Sequence, residues 1–248
     1  MLMQGVTTFV REEAGGAFSP SDVSGLVVWL DGDDDTSITE DGNGISEWAG
    51  QSPTTVDFVQ ATDGFKPNTT AAFQNGLDCV EFLIVNDEDM ATAADIGMTL
   101  NTDDAAIWVV YAMDSVTPDQ CLIVQTDGTG TGRNWVQYET TGDVQRTAIG
   151  GSGIDSDTSR VAVTTYLDGF IYDQSGATFN FRTNGAADGT HTSITGEAAN
   201  GSVRIATAKS GGQDFGGQIC EILIYDTVPS GGEIASIESY LNAKWAVY

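Results

Sequence analysis

The stretch Gly217-Gln218-Ile219-Cys220-Glu221-Ile222-Leu223-Ile224-Tyr225, followed by Ser230-Gly231-Gly232-Glu233 and the run to Trp245, decides how this chain is read. From Ile219 the first part is a β-branched, strand-length run closed by turn residues. The second part has capping-box spacing: the Ser230 oxygen can accept from the third helical N–H while Glu233 reaches back. Ile234, Ile237, Leu241 and Trp245 then share one face at helical spacing. A helix is predicted from about residue 231 to 244, its apolar face pinned onto the edge of the sandwich. Lys244 near its C-terminus suits the helix dipole.

Working outward, strand-length runs recur at residues 26–30, 79–85, 106–113, 121–125, 135–139, 160–167, 178–183 and 203–207. Clusters of Gly, Asp, Asn, Ser and Thr separate them, with no alternation of strand and helix. That rhythm predicts an antiparallel sandwich. Residues 178–183 alternate and run into Asn184-Gly185, a pair that readily takes the positive φ of a tight hairpin turn. Residues 1–20 read as an irregular arm closed by Pro20.

The 248 residues carry 9 Lys and Arg against 36 Asp and Glu, a net charge of −27. Phosphate neutralisation needs the opposite balance, so no nucleic-acid partner is expected. Docking on an anionic membrane is excluded in the same way. No apolar run approaches the ~20 residues of a membrane span. The first residues have neither a basic nor an apolar segment of the secretory kind, so no signal peptide is expected. Asp dominates the acidic residues and favours turns over element interiors, which places the charge in loops. Cys79, Cys121 and Cys220 sit in separate apolar runs and lack close spacing. They are expected to be buried free thiols in a protein made in a reducing cytoplasm.

Two stretches carry a resemblance. One runs from Phe18-Ser19-Pro20-Ser21-Asp22 through Leu26-Val27-Val28-Trp29-Leu30-Asp31 to Ile45-Ser46-Glu47-Trp48. The other runs from Gly217 to Asp226 and on through the helix to Lys244-Trp245. Together they resemble the opening and closing segments of concanavalin A-like (laminin-G-like) jelly-roll domains, common in bacteriophage structural proteins and bacterial surface proteins. The resemblance implies an all-β fold, a two-sheet antiparallel jelly-roll sandwich over residues 21–248, with the arm at 1–20 and the helix at its end.

Such scaffolds serve as lectins, enzymes and structural modules, so function needs its own residues. The one-strand carboxylate pattern E-x-D-x-x-E of laminarinase-type relatives is absent. Glu81 and Glu221, each inside an apolar run, read as rim glutamates. His191 is the sole histidine and reads as a solvated loop residue, with no G-x-S-x-G elbow to accompany it. No enzyme is therefore expected. Asp31, Asp33 and Asp35 cluster after the first strand and could supply oxygens to calcium, or could simply be a solvated acidic loop. Arg133, Trp135 and Gln137 form the best local candidate for a carbohydrate platform, Trp135 and Gln137 alternating onto one face. The expected function is that of a non-enzymatic bacteriophage virion protein. It would be a capsid decoration protein on the virion surface, docked on other virion proteins through Val6, Phe9, Val10 and Arg11. The alternative is a carbohydrate-binding module that attaches to surface glycans, and the second alternative is a polysaccharide-active enzyme.

Overall fold

A computed structural model of the chain describes residues 18–117, 119–126, 133–139, 144–149, 152–196, 198, 201–207 and 213–248. The strands in chain order are β1 (Leu26–Asp31), β2 (Ile38–Glu40), β3 (Ile45–Trp48), β4 (Phe58–Val59), β5 (Asn68–Gln74) and β6 (Leu77–Phe82). Next come β7 (Met90–Thr92), β8 (Ala105–Met113), β9 (Gln120–Thr126), β10 (Arg133–Glu139), β11 (Val144–Ile149) and β12 (Ser152–Ser159). The last are β13 (Thr165–Asp173), β14 (Thr178–Thr183), β15 (Ala186–Thr192), β16 (Val203–Ile205) and β17 (Gly217–Tyr225), followed by helix α1 (Gly231–Trp245).

Among the described residues the first sheet has the order β15-β14-β13-β8-β17-β6-β5, with β1 also paired to β17. The second has the order β12-β11-β10-β9-β16-β7-β4-β3-β2. All these pairings are antiparallel. Helix α1 covers the outer face of the first sheet, so that sheet is the middle of three layers. Its inner face packs Ile107, Val109, Tyr111, Ile222 and Ile224 against Trp48, Phe58, Leu122 and Ile205 of the second sheet. Its outer face packs Ala106, Trp108, Val110, Leu223 and Tyr225 against Ile237, Leu241 and Trp245 of the helix.

This layering explains the opening stretch. Strands β8 and β17 are buried along all nine of their residues. Strands covered on both sides need no polar alternation, and theirs is nearly absent. The helix is where its capping box placed it: the Ser230 oxygen accepts from Glu233 N, and Glu233 reaches back to Ser230 N. It lies over the face of the central strands, not at an edge as its sequence suggested. Ile237, Leu241 and Trp245 are fully enclosed there, each contributing about 1.5–3 kcal/mol of hydrophobic burial.

Other boundaries moved for physical reasons. Residues 160–164 form no strand, because Arg160 turns into the interior and Val163 takes φ 59° before β13 begins. The run at 79–85 stops at Phe82, and Ile84–Asn86 form a single 3-10 turn. The Asn184-Gly185 turn is as expected, with φ 49° and 77°, and joins β14 to β15. Strands β5, β12 and β15 had no apolar signature because they flank the sheets. A polar edge strand resists pairing with another chain.

The cysteine reading is corrected. Cys79 and Cys220 form a disulfide between β6 and β17, with Cα atoms 4.3 Å apart. The register Ile219–Val80 brings these two positions opposite one another, although 141 residues separate them in sequence. Cys121 remains a buried thiol. Among the described residues no helix is long and apolar enough to cross a membrane.

Candidate functional site

The residues singled out from sequence go to different places. Val6, Phe9, Val10 and Arg11 lie outside the described residues. Arg133, Trp135 and Gln137 fall on β10, and their side chains lie outside the described set. The backbone register pairs Trp135 with Gln125 and Gln137 with Ile123 and Thr147, and all three of those partners are buried.

The three carboxylates expected to hold calcium have separate partners. Asp31 Oδ2 receives Lys244 Nζ, and its Oδ1 receives Asp33 N at 3.1 Å. Asp33 Oδ1 accepts from Asp78 N at 2.9 Å, and Asp35 is exposed. Among the described residues no three acidic, His or Cys side chains gather as metal ligands. His191 is not a solvated loop residue either. It lies on β15, half-buried, with Nε2 2.8 Å from Asp155 O and its ring edge-on to Phe181.

Besides the ion pairs of Lys66 with Asp41 and Asp63, Arg182 with Glu238 and Arg204 with Asp89, three polar clusters stand out. The first surrounds Glu221, which is fully enclosed beneath α1 and is no rim glutamate. Trp29 Nε1 and Tyr240 Oη donate to Oε1, each at 2.9 Å, and Trp245 Nε1 donates to Oε2 at 2.6 Å. Lys244 Nζ stands 3.2 Å from Oε2. Asp31 is the cross-strand partner of Glu221. Burial, then repulsion from Asp31, pushes the Glu221 carboxyl up to about 7. The unfolded chain releases this proton near 4.5, the ordinary glutamate value. Between these pH values the folded chain holds a proton that the unfolded chain has lost, so stability falls as pH rises through that window. A Tm series from pH 4.5 to 8 should therefore decline. A rise across it would contradict the enclosure of Glu221.

The second cluster lies between the sheets. Asp168 of β13 receives Arg160 Nε at 3.1 Å on Oδ2 and Arg160 Nη2 at 3.0 Å on Oδ1. Tyr111 Oη donates to Asp168 Oδ2 at 2.7 Å, and Gln145 Nε2 donates to Tyr111 Oη. Thr183 Oγ1 contacts both Asp168 and Asp188. Burial pushes the Asp168 carboxyl up, opposed by Arg160. With Arg160 and both carboxylates enclosed, the cluster ties the sheets together and has no opening for a substrate.

The third cluster is open. On β11, Gln145 and Thr147 face the core, so Arg146 between them faces out. Its guanidinium makes a two-point contact with Asp155 of the neighbouring strand β12, Nε to Oδ1 and Nη2 to Oδ2 at 2.7 Å. The two side chains keep 32% and 39% of their surface exposed. The Arg146 contact holds the Asp155 carboxyl below its usual range. Gly153 lies against the Arg146 side chain, where a Cβ would crowd Cδ and Nε. Tyr138 is the cross-strand partner of Arg146 on β10. Residues 138, 146 and 155 therefore follow one another in register across three strands. Sequence reasoning chose β10 and missed Arg146 and Asp155. Only the register shows that they are neighbours.

The chain superposes on the binding domain of Paraclostridial Mosquitocidal Protein 1 with TM-score 0.64 and 12% identity, over 90% of this chain and 54% of that one. The fold is a jelly-roll sandwich of the concanavalin A-like kind. The sandwich is also similar to Trypanosoma rangeli sialidase in complex with sialic acid, with TM-score 0.61 and 13% identity, over 90% of this chain and 33% of the sialidase. Against the receptor-binding domain of botulinum neurotoxin type G the TM-score is 0.54 at 9% identity, over 88% and 51%. The sandwich thus spans about half, or a third, of the length of these structures. No protein-family model and no curated protein matches the sequence.

Proposed function

We propose that the sandwich is a non-catalytic attachment domain that binds surface glycans through the outer face of its second sheet, around Arg146 and Asp155. The observation that carries this reading is the half-exposed Arg146–Asp155 pair on the second sheet, in register with residue 138. Sugars are recognised by charged and amide groups that reach several hydroxyls at once, next to an aromatic face. The Glu221 and Asp168 carboxylates at the centres of the other two clusters are buried. Two of the three similar structures are themselves binding domains by description, which supports an attachment role. The disulfide supports work in an oxidising, extracellular setting.

A glycan array with the wild-type chain and Arg146→Ala tests this. Exposed ion pairs contribute little to folding, so the variant should fold. Loss of one charged hydrogen-bonding group should weaken binding about tenfold or more. Failure of the wild type to retain any glycan would overturn the function, and undiminished binding by Arg146→Ala would overturn the site. A capsid decoration role, with residues 1–20 docked on virion proteins, rests on the sequence resemblance and stands second.

A further inference from the structure

We propose that Lys244 Nζ and the Asp31 carboxyl carbon condense into an intramolecular amide, with Glu221 as the catalytic residue that carries the protons. This proposal is independent of the glycan reading. Lys244 Nζ touches Asp31 Oδ2 and lies 3.2 Å from Glu221 Oε2. The three groups come from α1, β1 and β17, and each is held by its element. Asp31 and Glu221 are opposed by strand register, and Lys244 is on the last turn of the helix. Two carboxylates placed directly opposite repel each other, and the amine between them is what makes that arrangement tolerable.

The surroundings suit condensation. Glu221 is fully enclosed, while the side chains of Lys244 and Asp31 keep only 18% and 12% of their surface. Trp29, Trp245 and Tyr240 wall the carboxyl of Glu221, and the Lys244 ammonium lies 4.8 Å from the centre of the Trp245 ring. The Glu221 carboxyl is shut off from water, while Lys244 and Tyr240 border a surface pocket. Positioning of this kind is worth effective concentrations on the order of 10⁵–10⁸ M.

The step balances without a co-reactant. Glu221 takes a proton from the Lys244 ammonium, and the freed Nζ lone pair attacks Asp31 Cγ. Collapse of the tetrahedral adduct breaks one C–O bond. That oxygen receives the proton held by Glu221 and a second one released by the nitrogen, and departs as water. Ammonium and carboxylate become an amide and one water, and Glu221 is unchanged. The titration of Glu221 near neutrality fits a group that must both accept and return a proton.

Intact-mass spectrometry of the full chain, with the disulfide reduced, decides the question. The wild type should be one water lighter than its sequence, and digestion should yield a branched peptide joining Asp31 to Lys244. Lys244→Arg keeps the ion pair but cannot condense, and should have its full mass. Glu221→Gln should also remain at full mass. A wild-type chain at full mass after prolonged incubation at neutral pH would overturn the proposal. So would a water loss that maps elsewhere in the chain.

Discussion

Arg160→Leu is expected to cost about 3–5 kcal/mol, the range for removing one partner of a buried ion pair. Arg160 bonds both oxygens of Asp168, reaches Asp188 at 3.3 Å, donates to Thr158 O and lies over the Tyr166 ring. Without it the enclosed Asp168 and Asp188 keep, among the described residues, only the hydroxyls of Thr183 and Tyr111 as donors. The urea midpoint should fall with its slope unchanged, because the same surface is exposed on unfolding. The companion variant is Arg160→Leu with Asp168→Leu and Asp188→Leu. It removes every member of the charge set and should recover much of the loss, since apolar groups of similar volume replace buried ion pairs at little cost. A single-variant loss under about 1 kcal/mol would show that the cluster does not hold the sheets together.

Removal of the disulfide ranks second. Cys79→Ala with Cys220→Ala should lower stability by about 4 kcal/mol, because the bridge closes a loop of 141 residues and restricts the unfolded chain accordingly. Both sulfurs are enclosed beneath the helix, so alanine leaves a small cavity rather than an exposed edge. Urea unfolding of the wild type with and without reductant gives the same comparison without mutation. If neither variant nor reductant moves the midpoint, the bridge does not constrain the unfolded chain. The bridge and the Asp31–Lys244 contact lie side by side, since Gly32 N bonds Cys220 O at 2.8 Å. The two ties fasten β1, β6, β17 and α1 at one place.

Several features were legible in the residues alone. The capping box at Ser230, the apolar face of α1 and the Asn184-Gly185 turn are local, and local chemistry fixes them. The all-β class followed from short runs between turn residues. The strands that escaped were polar ones such as β12, whose pairing depends on a neighbour and not on its own composition. The sites escaped for the same reason. Glu221 looked like a rim residue because nothing in its strand shows that a helix will cover it. The ion pair of Asp31 was hidden because its cation, Lys244, is 213 residues away. Cys79 and Cys220 looked like isolated thiols until strand register placed them face to face.

The sequence by itself determined the class of fold, the terminal helix with its cap, and the acidic character of the chain. These depend on neighbours in the chain or on composition. The tertiary structure alone decided which charges are enclosed and which stay open. A carboxylate's role depends on the desolvation and partners it meets, and those are set by strands and helices distant in sequence. Asp31 at the end of β1 and Glu221 inside β17 thus became one cluster with a single lysine, while the half-exposed pair at Arg146 and Asp155 arose from register.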